Sequence, residues 1–211
     1  WEPRKELLSF SIGVVPTLGS LIQLFSEKGD KILIQTPVYS EFYDISEDNA
    51  RIIIENKFIE KNGEYSLDLE NLENKLKENP KLFIFCNPHN PLGHVWTHEE
   101  LEAIGNLCIK YKVPVISDEI HADISLWGRR NISVISKLKE YERVVVATSP
   151  TKTFNTPGLI GSYVVVPSSK VREAFLNKTR HVDFLNSCST LGLYATMAAY
   201  NECEVYVDDL C

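Results

Sequence analysis

The sequence predicts an α/β fold of three layers, α/β/α, built around a mostly parallel sheet. Three observations carry that expectation. Short apolar, β-branched runs alternate with helical patterns along most of the chain, the order that makes parallel sheets. The run Leu82-Phe83-Ile84-Phe85-Cys86 is apolar at every position instead of alternating, as a strand covered on both faces must be. Hydrophobic residues make up 44% and charged residues 24% of the 211, which excludes disorder, collagen and coiled coil.

The elements follow in chain order. Between positions 16 and 28, Leu18, Leu21, Ile22 and Phe25 recur at helical spacing, and Gly29 can cap the end. Positions 31–35 and 51–55 read as strands, the second rich in isoleucine. Asp68 opens a short helix with Leu69, Leu72 and Leu76 on one face and Pro80 as its stop. Positions 81–86 are the buried strand. Thr97-His98-Glu99-Glu100 is a capping box, and Leu101, Ile104, Cys108 and Tyr111 form the buried face of its helix. Strands follow at 113–117, 143–147 and 163–166, and from Ser168 onward the pattern is mostly helical. No repeat, low-complexity tract or linker interrupts positions 1–211, which read as one domain. The chain starts Trp1-Glu2-Pro3 and stops inside a helical pattern that lacks a Gly or Pro terminator. That predicts a domain truncated at both ends.

The formal charge is −7, and there is no basic stripe to meet phosphates, so a nucleic-acid partner is not expected. No apolar run reaches the roughly 18 residues of a membrane span. The five cysteines, Cys86, Cys108, Cys188, Cys203 and Cys211, form no C-x-x-C pair. They read as reduced thiols of a cytoplasmic protein rather than metal ligands or disulfides.

In a parallel sheet, ligands bind just beyond the carboxyl ends of the strands. Thr36-Pro37-Val38-Tyr39 follows the first strand, Asn87-Pro88-His89-Asn90-Pro91-Leu92-Gly93 the buried one, Asp118-Glu119-Ile120-His121 the next, and Ser149-Pro150-Thr151-Lys152 the one after. One sheet edge therefore gathers an aromatic ring, an amide, a carboxylate and a lysine. Singly, an Asp at a strand end is a turn former, Asn-Pro a turn signal and a lone Lys a solvated charge. It is their convergence that points to chemistry.

Asn-Pro-His-Asn-Pro-x-Gly, Ser-Asp-Glu-Ile-His and Ser-x-x-Lys-Thr-Phe-Asn, in this order, resemble fold-type I pyridoxal-phosphate enzymes of the class I/II aminotransferase superfamily. The resemblance runs from Gly13 to the last helix. It implies the large, cofactor-binding domain without the family's N-terminal segment and small C-terminal domain, and it implies a homodimer. It also implies residue roles. Lys152 is the amine that bonds the cofactor and then serves as general base. Asp118 faces the ring nitrogen and keeps it protonated. Asn90 donates to the phenolic oxygen, and Tyr39 covers the ring face. The backbone N–H groups of Gly13, Val14 and Val15 at a helix start, with the Ser149 hydroxyl, hold the phosphate. His89 and Glu119 read as structural neighbours.

Two departures from the superfamily pattern are informative. Ile160 stands where an Arg eight residues after the lysine is usual, and His121 where a Tyr three residues after the aspartate is usual. With Gly13-Val14-Val15-Pro16 and Thr36-Pro37-Val38-Tyr39, they resemble the cystathionine β-lyase (MalY/PatB-like) branch. That resemblance implies cleavage of cystathionine or cysteine-like amino acids to thiol, pyruvate and ammonia, with His121 bonding the phenolic oxygen. Amino transfer to a 2-oxoacid is the alternative, since both reactions begin by loss of the same α-proton. A non-catalytic truncated domain is the third reading.

Overall fold

The computed structural model describes residues 3–138, 140–185 and 189–211. Its main sheet has seven strands: β1 (Leu8–Ser11), β2 (Lys31–Thr36), β3 (Ile52–Lys57), β6 (Leu82–Cys86), β7 (Val115–Asp118), β8 (Val144–Thr148) and β9 (Ser162–Val165). Their order is β1-β9-β8-β7-β6-β2-β3. β8, β7, β6, β2 and β3 pair in parallel, and β9 is antiparallel to both β8 and β1. The mostly parallel sheet read from the sequence is present. A separate hairpin, β4 (Ile59–Lys61) and β5 (Glu64–Ser66), stands apart from it.

The helices cover both faces, and the strand parity shows how. In β6, Leu82, Ile84 and Cys86 point into one core with Val14, Leu18, Leu21 and Ile22 of α1 (Val14–Phe25), Phe42 of α2 (Glu41–Asp48) and Phe175 of α5 (Ser169–Asn177). Phe83 and Phe85 point the other way, onto Leu72 and Leu76 of α3 (Leu69–Lys77) and Leu101, Ile104 and Cys108 of α4 (His98–Tyr111). Successive side chains leave a strand on opposite faces, so a strand with a core on each side is apolar at every position.

Local signals are realised where they were strongest. Asp68 caps α3 by accepting from the Asn71 N–H at 2.8 Å. Thr97 and Glu100 close a reciprocal capping box on α4. The first helix differs from its expected bounds: it starts at Val14 and ends at Phe25 rather than near Lys28. The Arg51 guanidinium bonds the Ser26 hydroxyl and carbonyl, and the Ser26 hydroxyl folds back onto the Ile22 carbonyl. Those bonds end the helix before Gly29 is reached. The terminal helical stretch is also not continuous. A π turn (Lys178–Val182) follows α5, and Cys203 separates α6 (Thr190–Glu202) from α7 (Glu204–Leu210).

Sequence reasoning missed β1, α2 and the β4–β5 hairpin. The hairpin had a signal, Asn62-Gly63, with both residues at positive φ, as a tight hairpin turn requires. Among the described residues, no helix is long and apolar enough to cross a membrane, and no cluster of His, Cys, Asp and Glu could hold a metal ion. Cys86 and Cys108 are buried free thiols, Cys203 is half-buried and Cys211 exposed. Cys188 lies outside the described residues.

Candidate active site

Asp118 is the last residue of β7 and Glu119 the first beyond it. Parity separates them. Ile116 belongs to the core under α1, so Asp118, two residues on, faces the same side, while Ser117 and Glu119 face the α3–α4 side. Glu119 is anchored there: its Oε1 accepts from the Val134 N–H at 2.9 Å, the Ser117 hydroxyl at 3.1 Å and the Asn87 amide at 3.3 Å. It fastens the segment around Val134 to the strand ends, the structural role expected of it. Burial pushes its carboxyl up to about 7, against those hydrogen bonds. Asp118 is only 5% exposed and accepts a single hydrogen bond, from the Ile120 N–H at 3.1 Å. Burial pushes it up to about 6, opposed by that bond and by the charge of Lys152.

Lys152 lies in the turn after β8, with its side chain exposed. β7 and β8 are paired, Asp118 opposite Ala147, so the two loops leave the sheet side by side. The positive charge of Lys152 reaches Asp118, His121 and Glu41. His121 is lowered first by burial and then by that charge. Tyr39 closes the group from the loop after β2. Burial, then Glu41 and, most weakly, Asp118 push its hydroxyl up to about 12. The Tyr39 N–H donates to the Asn90 carbonyl at 3.0 Å, so the two loops bearing the ring-covering and oxygen-binding candidates touch through the backbone. Tyr39, Asn90, Asp118, His121 and Lys152 therefore gather at one sheet edge, as expected from the strand ends.

The helix-start candidates meet the same edge from the side. Gly13 precedes α1 with φ 141°, a conformation L side chains rarely adopt. Its N–H donates to the Ser162 hydroxyl at 2.6 Å, and that hydroxyl lies 2.7 Å from Ser11 Oγ. The Gly13 N–H is thus already committed. Val14 and Val15 open the helix, where an N–H has no carbonyl one turn back to bond; they are the donors that α1 can offer an anion. Ser149 is buried, and its hydroxyl donates to the Gly161 carbonyl, lies 2.8 Å from Thr151 Oγ1 and accepts from the Thr151 N–H at 3.2 Å. Its proton is spent on the 161 carbonyl, which adjoins the Ser162 that holds Gly13. Ser149 and the α1 start are joined through that corner, though the hydroxyl must turn before it can donate to a ligand.

These residues fit a phosphorylated pyridine. Asp118 is a buried carboxylate with one hydrogen bond and a raised carboxyl, the signature of an acid awaiting a cationic partner. An exposed primary amine and an open helix N-terminus flank it.

The chain matches the family model for aminotransferase class I and II over residues 3–209. The chain belongs to the class I and II aminotransferase family. It is 37% identical to cystathionine beta-lyase PatB of Bacillus subtilis (strain 168), over all of this chain and 54% of that protein. It resembles the crystal structure of the PLP-bound C-S lyase from Staphylococcus hominis with a TM-score of 0.94 and 31% identity, over 100% of this chain and 53% of that one. Cystalysin from Treponema denticola, whose structure contains pyridoxal 5'-phosphate, gives a TM-score of 0.93 at 32% identity, over 99% of this chain and 53% of that one. The chain spans about half the length of the relatives it matches.

Two features of this family member escaped sequence reasoning. Glu41, two residues after Tyr39, is held below the usual carboxylate range mainly by the Tyr39 hydroxyl, with Lys152 adding a smaller pull. Its spacing from Tyr39 was the only signal, and an acid at the start of a helix has an ordinary explanation. Ser162 precedes the strand expected at 163–166 and carries no signal of its own; its contact with Gly13 spans 149 positions and leaves no local trace. Ile160 is 47% exposed with φ 48°, so it is not a core residue.

Proposed function

We propose that this chain is the cofactor-binding domain of a pyridoxal-phosphate-dependent carbon–sulfur β-lyase acting on cystathionine or cysteine-like amino acids. The observation that carries the reading is Asp118, a buried carboxylate with one hydrogen bond at the end of β7, within reach of the Lys152 charge. The lyase rather than the transferase reading draws support from the 37% identity to a cystathionine β-lyase along the whole chain. It also draws on His121 and Ile160, the two departures from the usual superfamily pattern. The family's own name keeps amino transfer to a 2-oxoacid as the second reading.

The residues divide the work. Bound pyridoxal phosphate supplies an electron sink for the pair released when the substrate's Cα–H bond breaks. Lys152 takes the α-proton. Asp118 keeps a proton on the ring nitrogen, because an ionised carboxylate in a buried site favours a cation beside it. Asn90 and His121 would bond the phenolic oxygen of that group, and Tyr39 would cover its ring face. Val14 and Val15 offer backbone N–H groups to the phosphate, with Ser149 beside them. Breaking the substrate's β-carbon–sulfur bond releases the thiol, and hydrolysis of the remainder gives pyruvate and ammonia.

The working form in this reading is a cytoplasmic homodimer. Buried free thiols at Cys86 and Cys108 support a reducing compartment. Exposed Leu191, Tyr194, Met197 and Val205 on α6 and α7 support a covered face in the whole protein. Lys152→Ala tests the assignment: added pyridoxal phosphate should lose the near-visible absorbance of its lysine-bound form. Persistence of that band in the variant would sink the role of Lys152. Pyruvate released from cystathionine without any 2-oxoacid then separates lyase from transferase.

A further inference from the structure

His89 sits between Pro88 and Asn90 and has no part in the chemistry above. It is 1% exposed. Its Nε2 lies 2.8 Å from the Pro37 carbonyl, in the loop after β2. A ring nitrogen facing a carbonyl oxygen must carry the proton, so the ring is the Nε2–H tautomer. Its Nδ1 is buried without a partner. Phe58 packs on the ring edge-on at 4.8 Å between centroids, and Trp96 at 6.0 Å. Trp96 in turn donates to the Cys86 carbonyl at 2.8 Å. The loop itself is closed by the His89 N–H on the His94 carbonyl and the Gly93 N–H on the His89 carbonyl, each 2.8 Å.

Two links therefore join the loop after β2 to the loop after β6. One is the backbone bond from Tyr39 to Asn90, 3.0 Å long. The other is the His89 side chain on Pro37, two residues before Tyr39 and one residue before Asn90 in their respective loops. Packing alone does not explain a histidine here. A phenyl ring would fill the same aromatic slot without leaving Nδ1 unpartnered, but it would drop the bond to Pro37. Burial also lowers this imidazole to about 4, so near neutral pH it stays an uncharged donor.

We propose that His89 is a positioning residue: its Nε2–H, by holding the Pro37 carbonyl, sets the spacing between Tyr39 and Asn90. The inference rests on the reading of those two residues as cofactor contacts. It predicts that the spacing exists before any cofactor binds, so its first readout is made on the apoprotein.

The test compares His89→Phe and His89→Gln with wild type in the intact protein. Hydrogen exchange at the Tyr39 amide should be about tenfold faster in the Phe variant, the effect of losing one hydrogen bond. Amides of β6 should keep their protection. The dissociation constant for pyridoxal phosphate should weaken by a similar factor. Gln, whose amide N–H can reach the same carbonyl, should recover both. A folded Phe variant with wild-type Tyr39 exchange would overturn the proposal. So would equal loss of protection in β6, which would mean general destabilisation, or failure of Gln to recover, which would mean ring packing. A wild-type protein that never shows the lysine-bound cofactor band would refute the proposed function instead, and it would leave the apoprotein exchange result standing.

Discussion

Asp118→Asn exposes the conflict between stability and chemistry at this site. In the apoprotein the buried carboxyl titrates near 6 instead of its ordinary 3.8. The native state therefore binds this proton more tightly than the unfolded chain does. The sign follows from linkage: stability is highest where both states hold the proton, falls as pH rises from about 4 through 6, and levels off above that. A gap from 3.8 to about 6, at 1.36 kcal/mol per pH unit, makes the ionised group cost roughly 3 kcal/mol at pH 8. Asn keeps an oxygen for the Ile120 N–H but carries no charge. The variant apoprotein should thus be more stable than wild type by up to about 3 kcal/mol at pH 8, and nearly equal to it at pH 4. Glu119 titrates in an overlapping range in both proteins, so it cancels in the difference. Urea unfolding at the two pH values measures the gap. Turnover should fall severely in the same variant, because an amide cannot stabilise a protonated ring nitrogen. Equal stability at pH 8, or a gap that does not change with pH, would refute the reasoning. Near-normal turnover would refute the electron-sink role.

Three further outcomes are expected. Ile160→Arg should fold normally and shift stability by no more than about 0.5 kcal/mol, because the side chain is half exposed; tighter binding of pyridoxal phosphate, read by titration, is expected if the phosphate lies by Val14 and Val15, and loss of fold would refute this placement. Gly192→Ala should destabilise by about 1–3 kcal/mol, since a Cβ there would run into the Leu159 carbonyl and come within 2.7 Å of the Ile160 carbonyl; an unchanged melting temperature would show that the backbone at Leu159 and Ile160 gives way freely. Tyr39→Phe should return Glu41 toward the ordinary carboxylate range, because the hydroxyl is the main group holding it down; an unmoved carboxyl resonance in an NMR pH titration would contradict that pairing.

The site joins two kinds of support. The carboxylate stands on the last residue of β7, and the amine and aromatic ring come from the loops that follow β8 and β2, so the sheet itself sets their separation. The corner at the start of α1 is assembled differently. Gly13 is held by Ser162, and Ser149 by Gly161, so it depends on the antiparallel strand β9 closing beside β8.

Elements governed by neighbours in the chain were legible from residues alone. The Asp68 cap, the Thr97–Glu100 capping box and the two-sided β6 strand each depend on contacts within a few positions, or on a period of two, and both leave a written pattern. The rule that ligands gather at strand carboxyl ends works in the same way, and it brings Tyr39, Asn90, Asp118 and Lys152 to one edge from their order in the chain. Tertiary structure decided the rest. β1 carries only Leu8-Ser9-Phe10-Ser11, and it is a strand because Ser162 to Val165 lie opposite it. The first helix stops at Phe25 because Arg51, 25 positions beyond Ser26, reaches back to it. Whether the Gly13 N–H and the Ser149 hydroxyl are free for a ligand also depends on partners far along the chain. Hydrogen bonds between distant segments impose no period and no local composition on either one. A sequence therefore records the chemistry at its strand ends far better than it records which of those groups the fold has already engaged.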